Sequence, residues 1–259
     1  MKVTLITGAS SGIGEAFARR LAGEGHDLVL VARGEEKLHN LCDELMLKHK
    51  IMAHYIAADL LHGNETERVF SETEKHGYEV DWLINNAGFG SMGDFAKLDR
   101  ENELDMVRLN VVALVSLTHR YLVQMRERKS GTIINVSSAA GFQPIPFFAT
   151  YAATKAFVTS FTEAIAEENR PFGIKILALC PGATKTNFFA ASKIEDPMQI
   201  KGLQTPEQVV ETALKALKRG KSKVVSGWAN YLGAITGAYS PNALTTRVIG
   251  RALRRKYQK

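Results

Sequence analysis

Short apolar runs rich in β-branched residues alternate along the chain with longer amphipathic segments. This alternation is typical of βαβ units, in which parallel strands are covered by helices on both faces. It predicts an α/β fold, a doubly wound Rossmann fold with a seven-stranded parallel sheet. The predicted strands are Val3–Thr7, Leu28–Ala32, Met52–Ala57, Trp82–Asn85, Thr132–Ser137, Lys175–Leu179 and Lys223–Ser226.

The amphipathic segments predict helices at Glu15–Gly23, Glu35–Lys48, Asn64–His76, Glu101–Glu127 and Tyr151–Asn169. Another helix is predicted to begin after Thr205, because threonine can cap it, Pro206 suits the first helical position and Gln208 can complete a capping box. No repeat or Pro/Ser-rich linker divides the chain, so residues 1–259 are predicted to form a single domain. Within it, the aperiodic stretch 187–203 is predicted to be a substrate lid and 227–259 a C-terminal extension.

The composition, with 45% hydrophobic and 23% charged residues, is that of a globular chain and excludes the disordered and collagen-like classes. The formal net charge is +6, from 33 basic and 27 acidic residues. Five of the basic residues lie in 251–259, and without them 28 basic residues face 27 acidic ones. A nearly neutral body argues against a nucleic-acid-binding face.

The cysteines, the histidines and the N-terminal sequence bear on the cellular compartment and on metal binding. Cys42 and Cys180 lack disulfide-framework or zinc-type spacing and are predicted to be buried thiols, and none of the seven histidines falls in a metal spacing. We therefore predict no metal. No secretory leader precedes the first strand, which favours a cytoplasmic protein.

A glycine-rich turn joins the first strand to the first helix, with the sequence Thr7-Gly8-Ala9-Ser10-Ser11-Gly12-Ile13-Gly14. Glycines let the backbone approach a ligand closely, and free N–H groups at a helix N-terminus attract phosphate. The G-x-x-x-G-x-G spacing differs from the G-x-G-x-x-G fingerprint, so the strand–turn–helix context carries the interpretation as a pyrophosphate site.

The second strand ends at Ala32-Arg33, where dinucleotide folds that select NAD carry a carboxylate for the adenosine ribose. A neutral Ala32 does not repel a 2′-phosphate, and the planar Arg33 guanidinium can bind one with two hydrogen bonds. We therefore predict NADP(H) as the cofactor. The alternative is that Arg33 is an ordinary solvated surface charge.

Tyr151 and Lys155 lie four residues apart at the start of a predicted helix and so project from one face. A nearby ammonium favours the phenolate form of a tyrosine, which makes the phenol a usable acid and base. Ser137 and Ser138 end an apolar strand upstream, where a hydroxyl can donate to a carbonyl. Taken alone, a Tyr/Lys pair at this spacing is a common surface feature.

The order of these motifs distinguishes the chain. TGASSGIG is followed by Asn85-Asn86-Ala87-Gly88, Asn110, Asn135-Val136-Ser137-Ser138, Tyr151-x-x-x-Lys155 and Pro181-Gly182. This set resembles the short-chain dehydrogenase/reductase family, in an NADP-preferring branch with a C-terminal extension, over residues 1 to about 226. The resemblance implies reversible hydride transfer between NADPH and a carbonyl or secondary alcohol, in a homodimer or homotetramer.

The resemblance also implies a role for individual residues. Tyr151 exchanges the proton, Lys155 lowers the pKa of Tyr151 and holds the nicotinamide ribose, Ser138 orients the carbonyl, and Asn110 supports a water-linked relay at a distortion of its helix. Ser137 is the rival of Ser138. Cofactor contacts are implied for Gly8, Ser10, Ser11, Gly12, Ile13, Gly14, Arg33, Asp59, Leu60, Asn86, Ala87, Gly88, Tyr151, Lys155, Pro181, Gly182, Thr184 and Thr186.

Aromatic residues near the predicted site favour an apolar substrate that contacts Ser138, Tyr151, Phe148 and Phe188. The alternative is that these phenylalanines belong to the core or to a subunit interface. A basic helix with Leu244, Val248 and Ile249 on one side can lie on a membrane surface, or it can be a solvated chain end.

Two other functions stay open at this stage. One is a cofactor-binding redox sensor without turnover, against which the intact proton-transfer set argues. The other is a narrower reductase of 3-oxoacyl thioesters or steroid-like ketones, which an apolar pocket allows.

Overall fold

The computed structural model of the protein describes residues 1–186, 188 and 203–257. Seven parallel strands form one sheet in the order β3-β2-β1-β4-β5-β6-β7. They are β1 (Lys2–Thr7), β2 (Leu28–Ala32), β3 (Ala53–Ala57), β4 (Glu79–Asn85), β5 (Thr132–Val136), β6 (Lys175–Pro181) and β7 (Lys223–Ser226). The predicted doubly wound fold is confirmed, and so is each of its strands.

The helices of the described residues connect and cover these strands. They are α1 (Gly12–Ala22), α2 (Glu35–His49), α3 (Gly63–Lys75), α4 (Arg100–Val107), α5 (Leu114–Arg128), α6 (Ala149–Asn169), α7 (Pro206–Lys218), α8 (Trp228–Tyr239) and α9 (Asn242–Tyr257). The capping box of α7 is confirmed: the Gln208 amide donates to Thr205 Oγ1 at 3.4 Å and the Thr205 amide to Gln208 Oε1 at 3.0 Å.

Two predicted segments fall partly outside the described residues. Of the predicted lid, 187–203, only Phe188 and Leu203 are described, and the C-terminal extension is described as far as Tyr257. None of the described helices has both the length and the apolar character that a membrane span requires.

The helix predicted over Glu101–Glu127 is interrupted in its middle, where the resemblance implies a distortion at Asn110. Arg108–Ala113 form a turn of π-helix between α4 and α5. Each hydrogen bond of a π-helix spans one residue more than in an α-helix, and such turns are often found at functional sites. Hydrophobic periodicity does not reveal it, because the apolar face continues on both sides.

Apolar clusters cover both faces of the sheet. One face packs against α1, α2 and α7 through fully buried side chains such as Phe17, Leu38 and Val209. The other packs against α3 and α5 and against Ile165 on α6. Burial on both faces is why the strands read as continuous apolar runs. Cys42 and Cys180 are buried as predicted.

Buried amides join the central strands to the helices that carry the site. Asn85 Nδ2 donates to Asn135 Oδ1 at 2.9 Å and to Thr118 Oγ1 at 3.0 Å, and Asn135 Nδ2 donates to Thr162 Oγ1 at 3.0 Å. The strand order reverses between β1 and β4, and parallel sheets bind ligands at the carboxyl end of such a switch point. The loops described next all leave that end of the sheet.

Candidate active site

The glycine-rich turn adopts the conformation that its glycines were predicted to allow. Gly8 and Gly12 have φ values of +64° and +61°, in the left-handed region that favours glycine. Ser11, the N-cap of α1, makes no side-chain capping hydrogen bond. Hydroxyls and N–H groups of this turn are therefore available to an anionic ligand.

Asn86 fastens this turn to the loop after β4. Its Nδ2 donates to the carbonyls of Thr7 and Gly8 at 3.0 and 3.2 Å, and the Asn86 and Ala87 amides each donate to Thr7 Oγ1 at 3.0 Å. A Cβ on Gly14 would lie 2.3 Å from the Gly8 carbonyl oxygen, so only glycine fits there. Side chains at the three turn glycines would therefore collide with the turn itself or with Asn86, Ala87 and Thr186, which explains why this backbone turn is tight.

The loops after β2 and β3 lie beside the turn. The Ala9 amide donates to the Val31 carbonyl at 3.2 Å, and the Ala58 amide donates to the Ala32 carbonyl at 2.9 Å. Arg33 is exposed, and within the described part of the chain no carboxylate pairs with it. Its guanidinium is available to a phosphate at this edge.

Asp59 and Leu60 follow β3 on the same side of the sheet. Asp59 Oδ1 accepts a 3.2 Å hydrogen bond from the Leu61 amide, and the Leu60 side chain is buried. Their position is compatible with the adenine contact that was predicted from the sequence.

Tyr151 lies in the first turn of α6, where its ring is almost entirely buried. Burial raises the pKa of Tyr151 to about 12, and a hydrogen bond with the Ser138 side chain opposes that rise. The direction is opposite to the one expected from Lys155. Burial is the larger of the two effects and keeps the phenol protonated, as a proton donor must be.

Lys155 lies one turn further along α6. Its Nζ donates to the Val136 carbonyl at 2.9 Å and lies 5.7 Å from the centre of the Tyr151 ring. Burial lowers the pKa of Lys155 to about 8, because the charged form is poorly solvated there. Gly88 borders the same space, since a Cβ there would lie 3.5 Å from Nζ.

Asn110 occupies the π-helical turn and is buried. Its Oδ1 accepts from the Phe89 amide at 3.1 Å, and its Nδ2 donates to the Phe89 carbonyl at 2.9 Å and to Thr154 Oγ1 at 3.1 Å. The side chain therefore joins the loop after β4 to α6. This connection fixes the approach of that loop to Lys155.

The two candidate serines face opposite sides. Ser137 Oγ is buried, donates to the Lys155 carbonyl at 2.7 Å and lies 2.7 Å from Thr159 Oγ1. Ser138 instead hydrogen bonds with Tyr151 and accepts from the Ala140 amide at 3.1 Å. Only Ser138 thus shares the side of the tyrosine hydroxyl, as strand alternation predicts.

The segment after β6 reaches back to the glycine-rich turn. A Cβ on Gly12 would lie 3.0 Å from Thr186 Cγ2, and Thr184 Oγ1 donates to the Gly182 carbonyl at 2.9 Å. Gly182, which follows Pro181, lies so close to Asn230 of α8 that a Cβ would come within 2.1 Å of it. Asn230 was not predicted, because it lies beyond the motif-bearing part of the chain.

Aromatic rings form the wall next to the hydroxyl pair. The Phe148 ring stacks on Tyr151 with centroids 4.4 Å apart, and the Phe188 ring lies 5.3 Å from it at 53°. Gly90 lies against all three rings, because a Cβ at this position would lie 3.0 to 3.1 Å from each of them. The predicted apolar surroundings of Tyr151 are therefore present.

The structure also brings together residues whose spacing in the sequence gave no sign that they are neighbours. Ligand atoms of His54, near the start of β3, of Glu72, on α3, and of His76, the residue after α3, lie within 4.8 Å of one another, whereas the loops described above follow the ends of the strands. At the substrate side, the Tyr257 ring of α9 stacks on Phe147 with centroids 5.7 Å apart. Both contacts depend on tertiary packing, which motif spacing does not encode.

Comparisons with known proteins agree with this geometry. The family model for short chain dehydrogenases matches residues 2–196. A 7beta-hydroxysteroid dehydrogenase of Mediterraneibacter gnavus is 32% identical over 229 residues, which cover 87% of this chain and 86% of that protein. The human very-long-chain 3-oxoacyl-CoA reductase is 31% identical over 218 residues, which cover 82% of this chain and 67% of that protein.

Solved structures give the same result. A structure from a study of 7beta-hydroxysteroid dehydrogenase stereoselectivity superposes with a TM-score of 0.87 at 29% identity, over 96% of each chain. A short-chain dehydrogenase from Sphingobium yanoikuyae in complex with NADPH has a TM-score of 0.82 at 32% identity, over 92% of this chain and 93% of that one. The chain therefore belongs to the short-chain dehydrogenase/reductase family and is an oxidoreductase acting on CH–OH groups.

Proposed function

We propose that the protein transfers hydride between NADP(H) and an apolar carbonyl or secondary alcohol, with Ser138, Tyr151 and Lys155 at the reacting centre. One observation carries this proposal. A protonated, buried phenol hydrogen bonds with a serine hydroxyl at the carboxyl end of the sheet, one helical turn from a buried ammonium.

The residues present fit a dinucleotide. The tight backbone turn at Gly8, Gly12 and Gly14, here called the nucleotide cradle, can present N–H groups of the α1 N-terminus to the pyrophosphate, and exposed Arg33 suits a 2′-phosphate. The NADPH complex of the Sphingobium relative supports the same cofactor. The remaining contacts are proposed for Ser10, Ser11, Ile13, Asp59, Leu60, Asn86, Ala87, Gly88, Pro181, Gly182, Thr184 and Thr186.

When bound, the nicotinamide supplies or accepts the hydride. The Ser138 and Tyr151 hydroxyls both donate to the substrate carbonyl oxygen, which orients the substrate and stabilises the negative charge that develops there. Tyr151 then gives its proton to that oxygen, and the phenolate left behind is stabilised by the Lys155 ammonium.

Asn110 is proposed as a positioning residue. Its carboxamide holds Phe89 and Thr154 in place, and it supports a water-linked path by which Lys155 helps to return the proton to Tyr151. In the oxidation direction the same groups act in reverse.

The substrate is proposed to be a bulky apolar ketone or its alcohol. Phe148 and Phe188 give the site an aromatic wall. The names of two relatives, a 7beta-hydroxysteroid dehydrogenase and a very-long-chain 3-oxoacyl-CoA reductase, support steroid-like ketones and 3-oxoacyl thioesters as the two classes to examine.

We also propose that the working form is a homodimer or homotetramer in the cytoplasm. Exposed apolar side chains on α5 and α6, including Val123 at 46% and Phe157 at 43% exposure, support a self-association surface. Sedimentation analysis of the full chain tests the oligomer directly.

The central experiment follows NADPH oxidation across aliphatic, aromatic, steroid and acyl-thioester carbonyls, with Tyr151→Phe as the blank. Turnover that depends on Tyr151 supports the proposal, with a loss of about 10²- to 10⁴-fold in the variant. Tight NADPH binding without turnover on any class would instead favour a redox sensor.

A further inference from the structure

A groove of about 390 Å³ lies between the C-terminal helix α9 and the Pro146–Phe147 segment. Gly250 is buried at its base, and a Cβ there would lie 3.6 Å from Pro146 Cγ. At the end of the helix, Tyr257 stacks on Phe147 and its hydroxyl lies 3.3 Å from Met92 Sδ. These contacts fix α9 at a set distance from the segment.

Three guanidiniums line this groove. Arg247, Arg251 and Arg254 have the i, i+4, i+7 spacing of one helix face. All three are exposed, and no carboxylate of the described chain forms an ion pair with them. The sequence has no Asp or Glu after Glu211. Like charges one turn apart repel each other, so an anion bound between them would relieve that repulsion.

The groove adjoins the reacting centre. Phe147 lines the groove, and the next residue, Phe148, stacks on Tyr151 with ring centroids 4.4 Å apart. A substrate whose carbonyl meets Tyr151 can therefore extend one arm past Phe148 towards the arginines, while the rest of the molecule leaves the carbonyl on the other side.

We propose that this arginine groove binds the phosphate-bearing end of a coenzyme A thioester, which makes 3-oxoacyl thioesters the substrate class. The proposal rests on the proposed function and chooses among its substrates. From Arg247 to Arg254 the helix rises about 10 Å, which is longer than one carboxylate but suits several phosphate groups. Guanidinium groups bind phosphate oxygens in bidentate pairs.

Two substrates with the same 3-oxoacyl chain provide the test, one on coenzyme A and one on uncharged N-acetylcysteamine. We expect the native protein to have the lower KM for the coenzyme A thioester. In the double variant Arg251→Glu, Arg254→Glu, this KM advantage is expected to fall at least tenfold. An unchanged ratio of the two KM values would overturn the proposal.

Arg255 provides a matched control. It is exposed on the same helix but does not line the groove, so Arg255→Glu changes the net charge without changing the proposed contacts. We expect this variant to keep the native KM ratio. If it lost the advantage equally, the effect would be one of overall charge and the proposal would fail.

A binding measurement separates this proposal from the reaction itself. Calorimetric titration of the NADP⁺-saturated protein with free coenzyme A should show binding that the double variant weakens about tenfold and Arg255→Glu does not. Such binding without turnover of either thioester would refute thioesters as the substrate class, whereas turnover of other carbonyls in the central experiment tests the proposed function by itself. Binding to anionic phospholipid vesicles without binding of coenzyme A would assign the arginines to lipid and refute the proposal.

Discussion

The Lys155 ammonium donates a 2.9 Å hydrogen bond to the Val136 carbonyl, on the last residue of β5. This single contact holds the lysine where β5 and α6 meet, yet the surroundings are dry enough to lower its pKa to about 8. The buried charge therefore costs stability, and that cost depends on pH.

The free energy of unfolding, measured as a function of pH, tests whether the buried Lys155 charge destabilises the fold. An unfolded lysine binds its proton up to about pH 10.4, whereas folded Lys155 loses it near pH 8. Between these values the unfolded state holds more protons, so stability rises with pH, by about 3 kcal/mol from this group. Urea unfolding of the native protein and of Lys155→Met at pH 7.5 to 10 should show the stability of the native protein rising relative to that of the variant. The comparison is needed because burial raises the pKa of Cys42 to about 12 and of Cys180 to about 11, which lowers the stability of both proteins towards high pH. Parallel curves would contradict it.

Arg33 is predicted to select the cofactor. Arg33→Ala should weaken NADPH binding by about 10- to 100-fold, because a charged hydrogen bond to phosphate is lost, and should change NADH binding little. Fluorescence titration with both cofactors measures the ratio. Arg219→Ala, an exposed arginine after α7, provides the control. An unaltered preference after Arg33→Ala would rule out this role.

Alanine substitution should affect catalysis at Ser138 and stability at Ser137. Ser138→Ala should lower kcat by about 10²-fold while unfolding stays native-like, because the lost hydroxyl is expected to donate to the reacting oxygen. Ser137→Ala should instead lower the free energy of unfolding by about 1–3 kcal/mol, since it removes a buried hydrogen bond to the Lys155 carbonyl. The opposite pattern would exchange their roles.

Gly14 is predicted to tolerate no side chain. A Cβ would lie 2.3 Å from the Gly8 carbonyl oxygen, so Gly14→Ala should destabilise the fold by about 1–3 kcal/mol and abolish cofactor binding. Gly63, in the first turn of α3, has nothing within 4 Å of its Cβ position, and Gly63→Ala should be neutral or slightly stabilising. Thermal unfolding with and without NADPH compares the two, and equal behaviour would count against the close packing.

The sequence predicted the sheet because each strand is a continuous apolar run, and it predicted the Tyr151–Lys155 pair because helical spacing is local. The hydrophobic pattern alone did not predict the π-helical turn at Asn110, since the period is the same on both sides of it, and only the resemblance implied a distortion there. Nor did it predict that burial dominates the pKa of Tyr151. That balance depends on how many atoms surround the phenol, which only the packed structure defines.

Most residues of the cofactor site and the helices beside the substrate site come from different parts of the chain, so the two sites can change separately. Most residues proposed to contact the cofactor lie in the loops after β1 to β4, whereas α8 and α9 follow the last strand and contact the substrate side at Gln143, Pro146 and Phe147. Asn230 of α8 also lies against Gly182, a proposed cofactor contact. Substitutions in these two helices can therefore alter which molecules are accepted while the sheet and the nucleotide cradle stay intact. For protein engineering, libraries confined to residues 228–257 and sparing Asn230 offer a way to retune selectivity while the redox machinery is left unchanged.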